Sequence, residues 1–204
     1  MPASLPLLLL FLQADDPHRG VFREALGVEC AHCHDVFATQ ARARRMVRMR
    51  DALSGQWLSG RGGLTCWTCH RGKAKPDRLP RAAWTRVFDA WPGPPLDEAT
   101  LARPAREVFR NLQVLDPEAP ASSVKMSMSV YSASLGVSCG HCHVAGRWES
   151  DERPAKAAAR DMLRMFDEIP AFFDPKARPV FQCFTCHYGT TKPERRPPAP
   201  TPVR

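Results

Sequence analysis

The sequence predicts a mainly α fold with extensive loops and little sheet, organised as two copies of one unit. Three observations predict it. All eight cysteines fall in four short frames of identical form, and the segments joining the frames repeat once along the chain. Long stretches between frames are rich in Ala, Arg, Met and Leu and free of Gly and Pro, as helices require. Nowhere does a hairpin turn separate two alternating runs, as a sheet would need. Twenty prolines and 12 glycines in 204 residues break the chain often, so its helices are short and its loops many.

Taken in order, residues 5–12 read Leu-Pro-Leu-Leu-Leu-Leu-Phe-Leu, followed by Gln13-Ala14 and acidic Asp15-Asp16. This pattern predicts a secretory signal over 1–14 with a short apolar region and an uncertain cleavage site. An uncleaved anchor is the alternative, although the run is short for a membrane span. A short helix is expected over 20–29, leading into the first frame. Residues 38–53 predict a longer helix, ended by Gly55, Gly60, Gly62 and Gly63. A Pro-rich linker covers 81–104, with a short helix near 82–90. Residues 97–110 are expected to be helical on each side of Pro104. The next helix spans 120–136, with Ser122 or Ser123 as N-cap. Another spans 154–168, with Pro154 in its first turn. From Pro193 the tail is Pro-rich and expected to lack order. The domain organisation is thus a signal, a first unit over 15–80, the linker, a second unit over 105–192 and a tail over 193–204.

The frames carry the chemistry. They are Cys30-Ala31-His32-Cys33-His34, Cys66-Trp67-Thr68-Cys69-His70, Cys139-Gly140-His141-Cys142-His143 and Cys183-Phe184-Thr185-Cys186-His187. Each reads C-x-x-C-H, the attachment signature of c-type haem. One backbone turn sets two thiols along one porphyrin edge, where they add to the vinyl groups. The adjoining histidine then lies under the iron as proximal ligand. The expected cofactor set is four covalently attached haem c groups, on Cys30 and Cys33, Cys66 and Cys69, Cys139 and Cys142, and Cys183 and Cys186. The proximal ligands are His34, His70, His143 and His187. Zinc sites also use C-x-x-C pairs, but a zinc ribbon gives no reason for histidine after every second cysteine. Disulfides within such short loops would restrain the chain little.

The two halves align. Leu26–His34 matches Leu135–His143 at seven of nine positions. Ala43–Met49 matches Ala159–Met165, and Lys75-Pro76-Asp77-Arg78 matches Lys192-Pro193-Glu194-Arg195. Each unit therefore reads haem, Met-bearing helix, loop, haem, and the duplication predicts two haem pairs about an approximate two-fold.

Seven histidines cannot supply eight axial positions. Four are proximal, and His32 and His141 lie inside attachment loops. Methionine is expected to supply distal ligands. Met46 lies 20 residues before Cys66 and Met162 lies 21 before Cys183, each on the inter-haem helix. Met49 and Met165 follow at i+3 on nearly the same face, so either member of each pair can be the ligand. Met128 is expected to serve haem 3, in preference to Met126. For haem 1, either His18 ligates the iron or the iron is open to a small molecule.

Formal net charge is +8 and the isoelectric point about 9.3, with arginine providing 23 of the 29 basic residues. About eight propionates on four haems would offset this charge. The arginines are read in part as propionate partners, held by charge-assisted hydrogen bonds, with solvated surface charge the alternative for any one of them, and no nucleic acid is expected. Arg42, Arg44, Arg45, Arg48 and Arg50 form the densest cluster, either propionate partners or a docking face. Haem c is attached outside the cytoplasm, so the protein is expected to be periplasmic or otherwise exported, tethered if the N-terminus stays uncleaved.

Asn111-Leu112-Gln113-Val114-Leu115, Met128, the frame from Cys139 to His143 with Val144, Trp148, Ser150-Asp151, Lys156, Arg160, Met162, and Cys183 to His187 with Gly189 together resemble the tetrahaem cytochrome c subunit of photosynthetic reaction centres. The likeness is good over 107–193 and weaker over 20–78. It implies two haem pairs, each with a helix bearing a distal methionine. The first half lacks the Asn-Leu-Gln-Val-Leu segment and its methionine. No histidine in 50–65 matches the family's distal histidine, so the resemblance assigns Met162 to haem 4. The chain is short for that subunit and lacks its lipid-anchor cysteine, and so resembles a compact relative.

These readings converge on electron transfer between redox partner proteins, membrane-bound ones included, through closely spaced haems. The alternative is a haem enzyme, a small-molecule reductase or peroxidase, working at an open iron of haem 1.

Overall fold

The computed structural model describes residues 17–174, 176 and 181–197. The signal expected over 1–14 lies outside the described residues. Among the described residues ten α-helices run in chain order: α1 (Pro17–Leu26), α2 (Ala31–His34), α3 (Phe37–Trp57), α4 (Cys66–His70), α5 (Arg81–Asp89), α6 (Glu98–Ala102), α7 (Ala105–Val108), α8 (Ala121–Leu135), α9 (Pro154–Glu168) and α10 (Phe184–His187). Short 3-10 turns cover Cys139–His141 and Ile169–Phe172. No strand occurs among the described residues; pairing there is limited to two isolated bridges, Pro104 with Pro120 and Val144 with Arg147. The mainly helical, sheet-poor expectation holds.

Three local expectations change. Gly55 lies inside α3, which runs on to Trp57. A helical glycine costs about 1 kcal/mol relative to alanine. The cost is met by buried Leu53 and by the side chain of Gln56, which donates to Glu168 at the end of α9 at 2.9 Å. No serine caps α8. Pro120 precedes it, and the Ala121 amide donates to the Arg103 carbonyl at 2.8 Å. The Ala105 amide returns the bond to Ala119 at 2.8 Å. Neighbouring backbone, not a hydroxyl, satisfies the first orphan amide. Residues 193–197 are largely exposed but tied down through Arg195. The Arg195 guanidinium donates to the carbonyls of Gly63 and Arg61, and the Thr65 hydroxyl donates to the Arg195 carbonyl at 2.7 Å.

The helix in the Pro-rich linker also has a packing role. α5 lies along α8, and Lys125 Nζ sits 4.0 Å above the Phe88 ring. The repeat shows in the backbone. α1 and α8 each end in a left-handed glycine, Gly27 (φ 61) and Gly136 (φ 64). A Cβ at Gly27 would collide with the carbonyl of Gly72, and one at Gly136 with that of Gly189. Both positions thus need glycine for conformation and for close approach. The Gly72 amide donates to Ala25, and that of Gly189 to Ser134, each at 2.8 Å. In each half, the helix entering the first frame is pinned to the turn leaving the second.

Candidate functional site

Each frame folds as a single turn. The histidine amide donates to the first cysteine's carbonyl in frame 1 (3.1 Å), frame 3 (3.0 Å) and frame 4 (3.0 Å). Frame 2 is the helix α4, closed by a capping box in which Thr65 and Thr68 bond each other's amides. Frame 4 keeps half of that device, with Gln182 N donating to Thr185 Oγ1 at 3.2 Å. Thr68 and Thr185 are both buried. The i to i+3 cysteine spacing on one turn sets both sulfurs on one side, as attachment to one porphyrin edge requires.

The histidines are oriented. Nδ1 lies 2.9 Å from the Lys73 carbonyl in His70, 2.7 Å from the Trp148 carbonyl in His143 and 2.9 Å from the Thr190 carbonyl in His187. A carbonyl can only accept, so Nδ1 carries the proton and Nε2 keeps its lone pair. That arrangement selects the tautomer a ligating histidine uses. Burial holds all three imidazoles below the ordinary histidine value, favouring the neutral form a metal needs. His34 is exposed. Burial also raises the Cys142 thiol, and pushes that of Cys183 up to about 11.

The frames lie in a row of contacts. α1 packs on α4, α4 on α10, and α10 on α8. Frames 2 and 4 therefore meet at the centre, while frames 1 and 3 lie beyond the helices that flank them. At the centre Cys69 and Cys186 are joined as a disulfide with Cα atoms 4.3 Å apart, while the cysteines of the other positions are free. A sulfur in a disulfide cannot also hold a porphyrin, so attachment at frames 2 and 4 requires this bridge to be open. Around it, Arg71 and Tyr188, the left-handed residues that end α4 and α10, stack on each other. Glu194 pairs with Arg71 at 3.2 Å.

Frame 3 has a cover that frame 1 lacks. After His34 the chain passes almost at once into α3. After His143 a ten-residue segment, 144–153, precedes α9 and folds back on the frame through the Trp148 carbonyl and ring. Trp148 lies 5.9 Å from the His143 ring and stacks on Trp91 at 6.2 Å. A polar cluster ties the segment down. Lys156 Nζ donates to the carbonyls of Trp148 (3.0 Å) and Ser150 (2.9 Å). Arg160 pairs with Asp151 at 2.9 Å, and Asn111 Nδ2 donates to the same carboxylate at 2.8 Å. Asp151 sits below the ordinary carboxyl value: desolvation opposes this, but the bonds from Asn111 and Arg160 outweigh it. Asn111 takes φ 63, a left-handed conformation asparagine tolerates. Beside this frame a pocket of about 580 Å³ is lined by Val87, Ser132, Val137, Cys139, Ala145 and Trp148, among others.

Met46, Met49, Met128, Met162 and Met165 are all half-buried, whereas Met126 is 44% exposed. Met128 and Ser132 share a face of α8 at i+4, and Ser132 lines the pocket beside Cys139. The backbone of His18 belongs to α1, but its side chain lies outside the described residues. In the arginine cluster, Arg42, Arg44 and Arg48 are exposed, and Arg50 pairs with neighbouring Asp51 at 2.5 Å.

The residues fit covalent haem. Buried polar atoms without a protein partner include Arg71 Nε and Nη2, Trp67 Nε1 and Ser134 Oγ, all within or beside frames 2 and 4. Such atoms normally have partners, and propionates and ordered water are suitable ones. Sequence reading missed Arg71 in this role because it gave weight to the density of arginines on α3. It also did not foresee the cover of frame 3, although Lys156, Arg160 and Asp151 were already visible as motif members.

Comparison with known proteins agrees with this geometry. The model of the photosynthetic reaction centre cytochrome C subunit family matches residues 35–92 and 86–197. Cytochrome c-554 of Chloroflexus aurantiacus is 38% identical over 81 residues, 38% of this chain and 20% of that protein. The photosynthetic reaction center cytochrome c subunit of Roseobacter denitrificans is 25% identical over 228 residues, 80% of this chain and 60% of the relative. That of Thermochromatium tepidum is 34% identical over 95 residues, 44% and 23% of the two chains. The chain thus spans between a fifth and three fifths of the length of these relatives. With the family model matching well over half of its residues, in both halves, the chain belongs to the photosynthetic reaction centre cytochrome c subunit family, whose members carry covalent haem c and transfer electrons.

Proposed function

We propose that the protein is an exported tetrahaem cytochrome that conducts electrons along its haems in the order 1–2–4–3. The observation that carries the order is the row of contacts α1–α4–α10–α8. Frames 2 and 4 adjoin through Cys69 and Cys186, so a haem on each would lie at the centre, with haems 1 and 3 outside. The haem supplies the one-electron chemistry. The chain's own residues do the rest. Each frame fixes a porphyrin edge, the Nδ1 bonds of His70, His143 and His187 aim their Nε2 atoms, and α3, α8 and α9 bring methionine to the opposite side. Met46, Met128 and Met162 are the distal ligands in this reading, and methionine raises a haem potential relative to a second histidine. His18 is the proposed ligand of haem 1. Arg71 and other arginines neutralise propionates. The partners are redox proteins, membrane-bound ones included, in keeping with relatives that are reaction center subunits.

The order is tested by deleting attachment at one frame at a time and following electron equilibration after flash reduction. A Cys66→Ala, Cys69→Ala variant is expected to isolate haem 1 from haems 4 and 3. A Cys30→Ala, Cys33→Ala variant is expected to leave the remaining three equilibrating rapidly. Equal effects of the two deletions on transfer among the other haems would contradict the order.

A further inference from the structure

The segments that follow frames 2 and 4 cross over to each other's frame. Residues 71–79 follow His70 and residues 188–196 follow His187, and they carry the matched runs Lys75-Pro76-Asp77-Arg78 and Lys192-Pro193-Glu194-Arg195. The Asp77 amide donates to Tyr188 Oη at 3.3 Å, and the Leu79 amide donates to Gln182 Oε1 at 3.0 Å. In return Glu194 pairs with Arg71 at 3.2 Å, and the Arg195 carbonyl accepts from the Thr65 hydroxyl at 2.7 Å. The Arg195 guanidinium also donates to the carbonyls of Arg61 and Gly63. The positions correspond. Asp77 and Glu194 each reach the residue just after the opposite histidine. Leu79 and Arg195, within one residue of matching, each reach the residue just before the opposite first cysteine. Such reciprocity marks an isologous interface, here between two halves of one chain.

We propose that these two segments are straps that set the separation of the haems at frames 2 and 4, and that Gln182 and Arg195 are positioning residues for the electron step between the halves. The inference rests on the tetrahaem reading and its haem order. It goes beyond that reading by naming what holds the two units at transfer distance.

Each strap begins at the histidine it orients. His70 Nδ1 donates to the Lys73 carbonyl and His187 Nδ1 to that of Thr190. A few residues on, the same segment bonds the opposite frame. One continuous stretch therefore ties the ring under one iron to the frame that holds the other. The receiving points are firm. Gln182 N donates to Thr185 Oγ1 at 3.2 Å, so the residue that takes the first strap also closes the turn of frame 4. Thr65, which takes the second, closes the turn of frame 2 through its capping box. Leu79, at the end of the first strap, is 7% exposed. Frame 3 gives the contrast. The segment after His143 returns to its own frame through Trp148, and so secures one haem rather than joining two.

The Cys69–Cys186 bridge cannot hold the halves in the loaded protein, because both sulfurs are then thioethers. The straps remain, together with the stack of Arg71 on Tyr188. In the electron step, one ferrous iron is oxidised and the neighbouring ferric iron is reduced. No bond forms or breaks and no proton moves. The protein's part is the placing of the two cofactors and their electronic environment. Where a rate depends on placing, a shift of about 1 Å can cost about a hundredfold.

The test follows electron equilibration after flash reduction of the haem-loaded full chain. It compares wild type, Gln182→Ala, Gln182→Glu, Arg195→Ala and the double variant Gln182→Ala, Arg195→Ala, with haem content and midpoint potentials measured in each. Gln182→Ala and Arg195→Ala are each expected to slow the step between haems 2 and 4 about tenfold, and the double variant to slow it further. The steps within each half, between haems 1 and 2 and between haems 4 and 3, are expected to stay within error of wild type. Gln182→Glu keeps an acceptor for the Leu79 amide and is expected to restore the wild-type rate. An unchanged step between haems 2 and 4 in the double variant, with full haem content, would overturn the proposal. So would equal slowing of all three steps, or a Gln182→Glu variant as slow as Gln182→Ala, since general loosening of the fold would produce these. A wild type without haem at frame 2 or frame 4 would instead refute the tetrahaem reading, and the proposal with it.

Discussion

The guanidinium of Arg71 lies 4.0 Å from the centroid of the Tyr188 ring. These residues occupy matching positions, one after His70 and one after His187, and both are left-handed, with φ 47 and φ 49. The relationship joins the two halves at their centre. It is reinforced by Tyr188 Oη, which accepts from the Asp77 amide at 3.3 Å, and by the pair of Arg71 with Glu194. A cation over an aromatic face is worth about 0.5–2 kcal/mol. Arg71→Ala and Tyr188→Ala are each expected to lower the unfolding midpoint of the holoprotein. A double-mutant cycle should return a coupling of about 1 kcal/mol. A coupling indistinguishable from zero would remove the stack as a fastener.

Gly27 and Gly136 are the points at which each half closes on itself. Alanine at either must adopt a left-handed backbone and push a carbonyl away. Each substitution is expected to destabilise by about 1–3 kcal/mol through strain alone. Gly55→Ala is the opposite case. Gly55 is helical and a Cβ there meets nothing within 4 Å, so stability should rise by about 0.5–1 kcal/mol. Thermal denaturation of the three variants checks both signs.

The methionine pairs separate by ligand spectroscopy. In Met162→Ala, one reduced haem is expected to bind carbon monoxide and the methionine-to-iron charge-transfer absorption to fall. Met165→Ala is expected to do neither. Met46→Ala and Met49→Ala should repeat the contrast in the first half. If the second member of a pair opens the iron instead, that member is the ligand.

The pH dependence has a definite sign. His70, His143 and His187 are held below the ordinary value of 6.5 by burial. The unfolded chain therefore binds more protons than the folded chain once pH falls below about 6.5, and stability drops with it. Binding to iron acts in the same direction, since metal and proton compete for Nε2. Denaturation midpoints are expected to be level from pH 8 to 7 and to fall as pH falls below 6.5. A midpoint that rises on acidification would contradict the burial of these rings in their neutral form.

Much of the fold is legible because it rests on local rules. The composition of residues 38–53 marks α3, Pro154 marks the start of α9, and the breaks at Pro80, Pro92 and Pro104 delimit the short helices between the halves. What is not legible depends on distant contacts. Nothing local to Gly27 says that its partner is Gly72, and the glycine signal alone reads only as a helix end. Ser122 and Ser123 have the chemistry of caps, but the Arg103 carbonyl reaches the orphan amide first. Arg195 looks like part of a loose proline-rich tail until the carbonyls of Arg61 and Gly63 are placed beside it. At the site, cysteines and proximal histidines are legible from spacing. The tautomers of His70, His143 and His187 are not, because each depends on a carbonyl three or five residues on that only the folded turn brings round.

All four frames, including the two whose cysteines touch, are proposed to hold haem. Peptide mass spectrometry of the folded protein, digested without reductant, tests this most directly. Four haem-bearing peptides are expected, with Cys66 and Cys69 on one porphyrin and Cys183 and Cys186 on another. A peptide pair joined through Cys69 and Cys186, with haem only at frames 1 and 3, would contradict it and leave the centre of the molecule a structural bridge rather than a conductor.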